Sequence, residues 1–192
     1  DGNSGLTYML STISSFNRAG WDALACNMRG FSGEVNRMAG FYNAGLSSDL
    51  ESVIQHAIDT HQYEQIVLVG FSLGGNLVLK YLGEKGANTP AALSAAATFS
   101  VPCDLADSAR AIHRRRNAFY LFKFILDLRN KVRQKAAVYP GLIDDCGLEN
   151  LHDLHAFDSR YTAPAYGYSS VEDYWRSNSC VYFLHNVRIP SL

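Results

Sequence analysis

The sequence predicts an α/β fold in which a parallel central sheet is flanked by helices and carries a helical cap insertion. Residues 66–69 (IVLV) are apolar without alternation, which is typical of a strand buried on both faces of a parallel sheet. Helical and strand-like segments alternate up to residue 102, as crossovers between parallel strands require. Residues 104 to about 137 then predict one or two helices with no intervening strand, which we interpret as an insertion.

The N-terminal segments predict two helices and one short strand. Apolar residues recur at helical spacing in residues 6–17, and residues 21–27 (WDALACN) then predict a strand. An amphipathic helix is expected from Ser47 onward. Glu51 follows Ser48 at the spacing of a capping box, so Ser48 is the predicted N-cap.

The later segments complete the alternation and then depart from it. Residues 74–86 (GGNLVLKYLGEKG) predict a helix that opens on two glycines, and the run that begins at Ala92 predicts another strand. Residues 155–168 (HAFDSRYTAPAYGY) predict a loop, and residues 170–179 predict a helix. Residues 187–192 (VRIPSL) predict the beginning of a further strand.

The composition is that of an ordinary globular domain, with 47% apolar and 18% charged residues among 192. A net charge of -1 gives no electrostatic reason to expect a nucleic-acid or anionic-membrane partner. The apolar runs are too short for an integral membrane segment. Residues 1–10 resemble no signal peptide and begin without methionine, so we expect a cut or processed end and a cytoplasmic location.

The four cysteines are widely spaced and form no pattern typical of a zinc site. They could form two disulfides, but free thiols in a reducing cytosol are the favoured interpretation. No metal and no cofactor is predicted. These cysteines are Cys26, Cys103, Cys146 and Cys180.

The segment Gly70-Phe71-Ser72-Leu73-Gly74 fits the pattern G-x-S-x-G and lies between a predicted buried strand and a predicted helix. A serine on such a strand-to-helix turn is held exposed, where a base can activate it. The first N–H groups of the helix point toward a developing oxyanion. We therefore predict Ser72 as a nucleophile and the backbone N–H of Leu73 as one oxyanion donor. The alternative is a structural turn with an incidental serine.

Five segments of the chain, in the same order, resemble the AB hydrolase 4 family, the YheT-like α/β-hydrolases of bacteria and their eukaryotic relatives. They are residues 20–36 (GWDALACNMRGFSGEVN), 42–50 (YNAGLSSDL), 70–84 (GFSLGGNLVLKYLGE), 100–105 (SVPCDL) and 157–179 (FDSRYTAPAYGYSSVEDYWRSNS). The resemblance implies an α/β-hydrolase fold with a helical cap, esterase or lipase activity on acyl esters, and a Ser-Asp-His triad whose serine is matched by Ser72. It also implies three divisions of this chain: a partial core at residues 1–103, the cap at residues 104–185 and the start of the next core strand at residues 186–192.

The resemblance further implies parts that these residues do not contain. The family carries an H-G-x-x-G loop with a second oxyanion donor, and Asp1-Gly2 resembles its tail. The catalytic Asp is expected after the strand that begins near Ile189, and the catalytic His later still. We therefore expect the chain to be an internal fragment that is inactive on its own.

Other polar side chains in the sequence are candidate partners of Ser72. His152 and His155, three residues apart, are more typical of a helix surface than of a base or a metal pair. The basic run around His113 (HRRR) is typical of a solvated helix face, with contact to an anionic lipid or phosphate head group as the alternative. Asp104 is expected to cap a helix. The aromatic set Phe119, Tyr120, Phe122 and Phe124 could pack the cap onto the sheet or line an acyl pocket.

The sequence thus predicts a serine hydrolase that acts on small-molecule acyl esters or lipids through an acyl-enzyme intermediate. Acyl transfer by the same elbow, and a protein that keeps the fold without catalysis, remain alternatives. The oligomeric state is not indicated.

Overall fold

The computed structural model describes residues 3–38 and 40–192. Asp1 and Gly2, the predicted tail of the oxyanion loop, lie outside the described residues. Internal contacts divide the chain into two compact units. The sheet unit comprises Asn43–Arg114 and Gly167–Leu192, and the helical unit comprises Asp1–Tyr42 and Arg115–Tyr166. The predicted boundaries at residues 103 and 185 stay predictions.

The sheet unit is built on two parallel strands, β1 (Ile66–Phe71) and β2 (Leu93–Phe99). Their register pairs Phe71 with Phe99, so both strands end at the same edge. The C-terminal residues add to the outer side of β2: the N–H of Ala96 donates to the carbonyl of Pro190 at 2.9 Å, and that of Thr98 donates to Leu192 at 2.7 Å. The predicted parallel sheet with flanking helices is confirmed.

Four helices belong to the sheet unit, and the amphipathic ones cover the sheet. They are α2 (Ser47–His61), α3 (Leu73–Lys85), α4 (Leu105–Ile112) and α8 (Val171–Asn178). Short 3₁₀ turns lie at Gly86–Asn88, Cys180–Tyr182 and Leu184–Asn186. Apolar side chains from α2, α3 and both strands form the core, namely Ile54, Leu68, Val78, Tyr81, Leu82, Leu93 and Ala96. Their burial positions the turn between β1 and α3.

The helical unit contains α1 (Thr7–Arg18) and the long helix α5 (Ala118–Val138), which is preceded by a 3₁₀ turn at Arg115–Asn117. A further 3₁₀ turn lies at Leu148–Asn150. A helical stretch follows as α6 (Leu154–Phe157), a π-helical turn (Asp158–Thr162) and α7 (Ala163–Ala165). One face of α5 is buried, through Leu121, Ile125, Leu128 and Val132. No helix among the described residues is long and apolar enough to cross a membrane.

Two predicted elements are wrong. Residues 21–27 form no strand, and Leu24 in their middle is 70% exposed, so the segment has neither a sheet partner nor a buried face. Residues 155–168 are mostly helical rather than a loop. The Asp153 carboxylate starts this helix by accepting from the N–H of Ala156 at 2.7 Å. The π-helical turn ends at Thr162, two residues before Pro164, whose ring lacks an N–H, so a locally wider helix accommodates the proline.

The predicted capping box at the start of α2 is also wrong. Leu46 is the N-cap, and the helix begins at Ser47 after a tight turn in which the N–H of Ser47 donates to the carbonyl of Gly45 at 2.8 Å. Ser48 therefore lies inside the first turn of the helix. Its side chain forms no cap, and its carbonyl accepts from Ser52 Oγ at 2.9 Å.

Candidate active site

Ser72 occupies a sharp turn between the last residue of β1 and the first residue of α3. Its backbone is in the left-handed region, with φ 49° and ψ -121°, which is costly for a residue other than glycine. Three hydrogen bonds hold this conformation. The N–H of Ser72 donates to the carbonyl of Phe99 at 2.8 Å, and its carbonyl accepts from the N–H groups of Gly75 at 2.9 Å and Asn76 at 3.2 Å. The residue is exposed, so the turn presents the hydroxyl to solvent.

Gly70 and Gly75 are the glycines of this turn that have no room for a side chain. A Cβ on Gly70 would lie 2.6 Å from the Cα of Gly75, and a Cβ on Gly75 would lie 2.6 Å from Val101 Cγ2. A Cβ on Gly74, by contrast, would meet no described atom within 4 Å. Of the two glycines in the motif, close packing therefore requires Gly70 but not Gly74. The second position without room for a side chain is Gly75, the neighbour of Gly74.

The N-terminus of α3 begins directly after Ser72. Leu73 is its first residue, and the first N–H groups of a helix have no partner within the helix. The 13 residues of α3 add a dipole whose positive end lies at this turn. An anion that develops beside Ser72 would therefore meet N–H donors and a favourable field. The role of Leu73 as an oxyanion donor stays a prediction.

A buried amide fixes the helix behind the turn. Asn76 has no exposed surface, and its Nδ2 donates to the carbonyls of Ala44 at 2.9 Å and Asn178 at 2.8 Å. Its Oδ1 accepts from the N–H of Cys180 at 2.8 Å. One side chain thus joins α3 to the loop before α2 and to the C-terminal end of α8. Sequence reasoning missed it, although a lone amide on an otherwise apolar helix is a usable signal.

Lys80, one helical turn after Asn76, supports the same loop. Its amine is almost buried and donates to the carbonyl of Gly45 at 3.0 Å, and it also pairs with Glu84 on the same helix. Gly45 has no room for a side chain, because a Cβ there would lie 2.2 Å from Asn178 Oδ1. Ala44 and Gly45, which lie in one of the segments that carry the resemblance, therefore pack closely against α3 and α8.

The histidines after Ser72 have other neighbours. His152 Nδ1 lies 3.3 Å from Arg129 Nη2, and His155 Nδ1 lies 3.5 Å from Ser159 Oγ. Both are in the helical unit, and both are partly or fully exposed. Across residues 3–38 and 40–192, no histidine or carboxylate forms a hydrogen bond with Ser72 Oγ.

Asp104 has the predicted capping role. Its carboxylate accepts from the N–H of Asp107 at 2.9 Å and is the N-cap of α4. The predicted aromatic packing is not observed, because Phe119, Tyr120 and Phe122 are 83%, 64% and 63% exposed. These three rings face solvent, and only Phe124 of the set is half-buried.

Two lysines on α5 were missed by sequence reasoning. The amine of Lys135, which is 1% exposed, donates to Asn36 Oδ1 at 3.0 Å and to the carbonyl of Gly40 at 2.8 Å. Burial lowers the pKa of Lys135 to about 8. Lys131 donates to the carbonyl of Gly30 at 2.7 Å, and burial also lowers its pKa. The two lysines line a cleft of about 230 Å³, and their amines bind the loop at its edge through Gly30, Asn36 and Gly40.

Within the part of the chain that the structure describes, three side chains with metal-ligand atoms cluster together, namely Asp144, Asp145 and Cys146, all exposed. The Asp144 carboxylate already pairs with Arg160 at 2.8 Å and accepts from the N–H of Cys146 at 3.0 Å. None of the four cysteines forms a disulfide. Burial raises the pKa of the Cys180 thiol, which makes it a poor nucleophile.

Comparisons with known proteins agree with this architecture. The family model for the alpha/beta hydrolase fold matches residues 2–192. "Phospholipase ABHD3" of Mus musculus is 32% identical over 193 residues, which cover 100% of this chain and 46% of that protein. YheT of Escherichia coli (strain K12), a provisionally named esterase, is 27% identical over 194 residues, 100% of this chain and 56% of that protein.

Another relative covers less of the chain. "Monoacylglycerol lipase ABHD2" of Homo sapiens is 29% identical over 164 residues, 78% of this chain and 38% of that protein. The chain thus spans about half the length, or less, of these curated relatives. No solved structure matches it significantly. The match of the family model over residues 2–192, together with the relatives of the YheT type, shows that the chain belongs to the α/β-hydrolase fold family.

Proposed function

We propose that this chain carries the nucleophile of a carboxylic ester hydrolase and that Ser72 is that nucleophile. The observation that carries the proposal is the strained backbone of Ser72, exposed between the end of β1 and the N-terminus of α3. Backbone strain of this kind costs about 1–3 kcal/mol and clusters at active sites; at Ser72 it coincides with an exposed hydroxyl directly before a helix N-terminus, which is not the case at Ser100. Three hydrogen bonds and two crowded glycines maintain the strain at Ser72.

The chemistry follows from the position of the hydroxyl. Ser72 Oγ attacks the carbonyl carbon of the ester while its proton passes to an imidazole base, which the resemblance places after Leu192. The N–H of Leu73 stabilises the oxyanion. The bond to the alcohol breaks, the alcohol leaves with the proton, and an acyl-Ser72 ester remains. Water then attacks this ester, which releases the acid and restores the hydroxyl.

The substrate class is an acyl ester of a small molecule or a lipid. Similar proteins are named as a phospholipase, an esterase and a monoacylglycerol lipase, and a carboxylic ester bond is present in all three of these kinds of substrate. An acyltransferase would use the same acyl-Ser72 intermediate with an alcohol in place of water. We also retain the predicted cytoplasmic location, because four cysteines without a disulfide suit a reducing compartment.

The test replaces Ser72 in the intact gene product. Ser72→Ala should abolish turnover of p-nitrophenyl esters, lowering kcat by at least about 10⁴-fold, because the covalent step is lost. It should also abolish labelling by a fluorophosphonate probe, read as the mass of the labelled peptide.

Ser100→Ala is the matched control. Ser100 follows β2 as Ser72 follows β1, is exposed and also has a positive φ of 53°, but no helix begins directly after it. This variant should keep full labelling and turnover. Equal activity of Ser72→Ala and wild type would refute the proposal. Products that shift from acid to ester when an alcohol is added would assign acyl transfer instead.

A further inference from the structure

The first half of α5 exposes large apolar side chains on the face opposite to its buried one. Phe119 is 83% exposed, Phe122 63% and Leu126 38%. The spacings of three and four residues place these three side chains on one face of the helix. Tyr120, 64% exposed, lies beside this face and stacks on Phe124, with ring centroids 6.5 Å apart. Isolated surface aromatics are ordinary, but four large side chains within two turns form a patch.

Positive charge borders this patch. Arg115 and Arg116 form the 3₁₀ turn that leads into α5, and Lys123 lies among the exposed aromatic residues. All three are exposed, and none forms an ion pair within the part of the chain that the structure describes. The acid that follows on α5, Asp127, interacts with Lys131 instead. The patch therefore combines three exposed cations with exposed apolar rings, and the acid beside it, Asp127, is partly buried.

The geometry points to this patch as a docking site for an anionic lipid surface. The charges favour this occupant over a second copy of the chain, because two copies face to face would bring like charges together. An amphipathic helix with basic and aromatic residues is suited to lie at the boundary between head groups and acyl chains. Arginines meet lipid phosphates and carboxylates, and the rings enter the apolar layer. This inference does not depend on the activity of Ser72.

The first experiment measures co-sedimentation of the intact gene product with vesicles of phosphatidylcholine and phosphatidylserine in about a three-to-one ratio. The wild type should bind these vesicles, bind phosphatidylcholine alone much more weakly, and dissociate as salt is added. The Arg115→Gln/Arg116→Gln variant should lose about 30-fold in partitioning to the anionic vesicles. The Phe119→Ser/Phe122→Ser variant should lose at least about tenfold.

Matched controls use exposed residues outside the patch. Arg133, exposed in the second half of α5, is changed to Gln, and Tyr182, 51% exposed in the sheet unit, is changed to Ser. Both controls should bind like the wild type. Because every substituted residue is exposed, the variants should keep the wild-type circular dichroism and melting temperature.

A reporter in the patch distinguishes the possible occupants. In a Phe122→Trp variant, the emission that remains after subtraction of the wild-type emission of Trp21 and Trp175 should shift to the blue with anionic vesicles and become protected from acrylamide. Emission that is already blue and protected without vesicles would mean that another part of the protein, or a second copy, covers the face, and it would overturn the proposal. Binding that is equal for wild type and both patch variants would overturn it as well.

Discussion

At the residue scale, the elbow shows which parts of a five-residue motif the fold requires. The pattern G-x-S-x-G treats its two glycines alike, but only Gly70 lies where any side chain would strike backbone atoms. The second crowded position is Gly75, one residue beyond the motif. The strand–turn–helix context of Ser72 could be predicted from the sequence, because a buried strand and a glycine-rich helix start are local signals. The distribution of close contacts could not, because it depends on Val101 at the end of another strand.

This distribution predicts an order of stability for three alanine variants. Gly70→Ala should lower the free energy of unfolding by about 3 kcal/mol, because backbone atoms cannot move aside, and Gly75→Ala by about 1–3 kcal/mol. Gly74→Ala should be neutral or stabilising by up to about 1 kcal/mol, because alanine is the better helix former. Denaturant unfolding of the three variants checks the order. A Gly74→Ala variant that is destabilised as much as Gly70→Ala would contradict it.

At the element scale, prediction succeeded where a segment's own pattern decides its structure. The helices α2, α3, α5 and α8 and the strands β1 and β2 follow from apolar periodicity and glycine positions. The strand predicted at residues 21–27 is wrong because a strand needs a neighbouring strand, and the local sequence pattern does not show whether one is present. The loop predicted at residues 155–168 is wrong because Pro164 is a strong loop signal. The π-helical turn that accommodates this proline cannot be recognised from composition.

The buried amide of Asn76 is the main polar link between the elements behind the elbow. Asn76→Ala would leave the carbonyls of Ala44 and Asn178 and the N–H of Cys180 buried without their partner. The cost should be about 3 kcal/mol or more in the free energy of unfolding. Asn88→Ala, an exposed position just after α3, is the control and should change stability by less than about 0.5 kcal/mol.

The variant Asn76→Asp keeps the size of the side chain but removes its two N–H donors, so it distinguishes the loss of packing from the loss of hydrogen bonds. The carboxylate keeps the acceptor for Cys180 but turns an oxygen toward two carbonyls, so it should be at least as destabilising as alanine. Thermal unfolding measures both variants. An Asp variant as stable as the wild type would show that the two donated bonds of Asn76 contribute little.

At the scale of the whole molecule, the net charge of -1 conceals how charge is distributed. Exposed cations gather at the start of α5, and exposed acids gather at Asp144 and Asp145. A composition total therefore gave no reason to expect an anionic partner, whereas the structure shows a local patch that fits one. Buried charge was equally hidden, because Lys131 and Lys135 read in the sequence as ordinary solvated lysines.

Lys135 makes the stability of the protein depend on pH in the alkaline range. Its amine titrates near 10.5 when unfolded and at about 8 in the folded protein, because burial disfavours the charged form. Between these pH values the unfolded chain holds more protons, so raising the pH favours the folded state. Below about pH 8 both states are charged and the contribution is constant.

The variant Lys135→Met removes this titration and isolates it. From pH 8 to pH 10.5 the wild type should gain up to about 3 kcal/mol in the free energy of unfolding relative to Lys135→Met. Arg133→Met on the same helix is the control, because arginine stays charged throughout and the difference from wild type should not change with pH. Other groups that titrate in this range cancel in the comparison, since all three proteins contain them. The difference in the free energy of unfolding between wild type and Lys135→Met could instead stay constant or fall as the pH rises. That result would mean that the amine of Lys135 is hydrated in solution rather than buried against Asn36 and the Gly40 carbonyl.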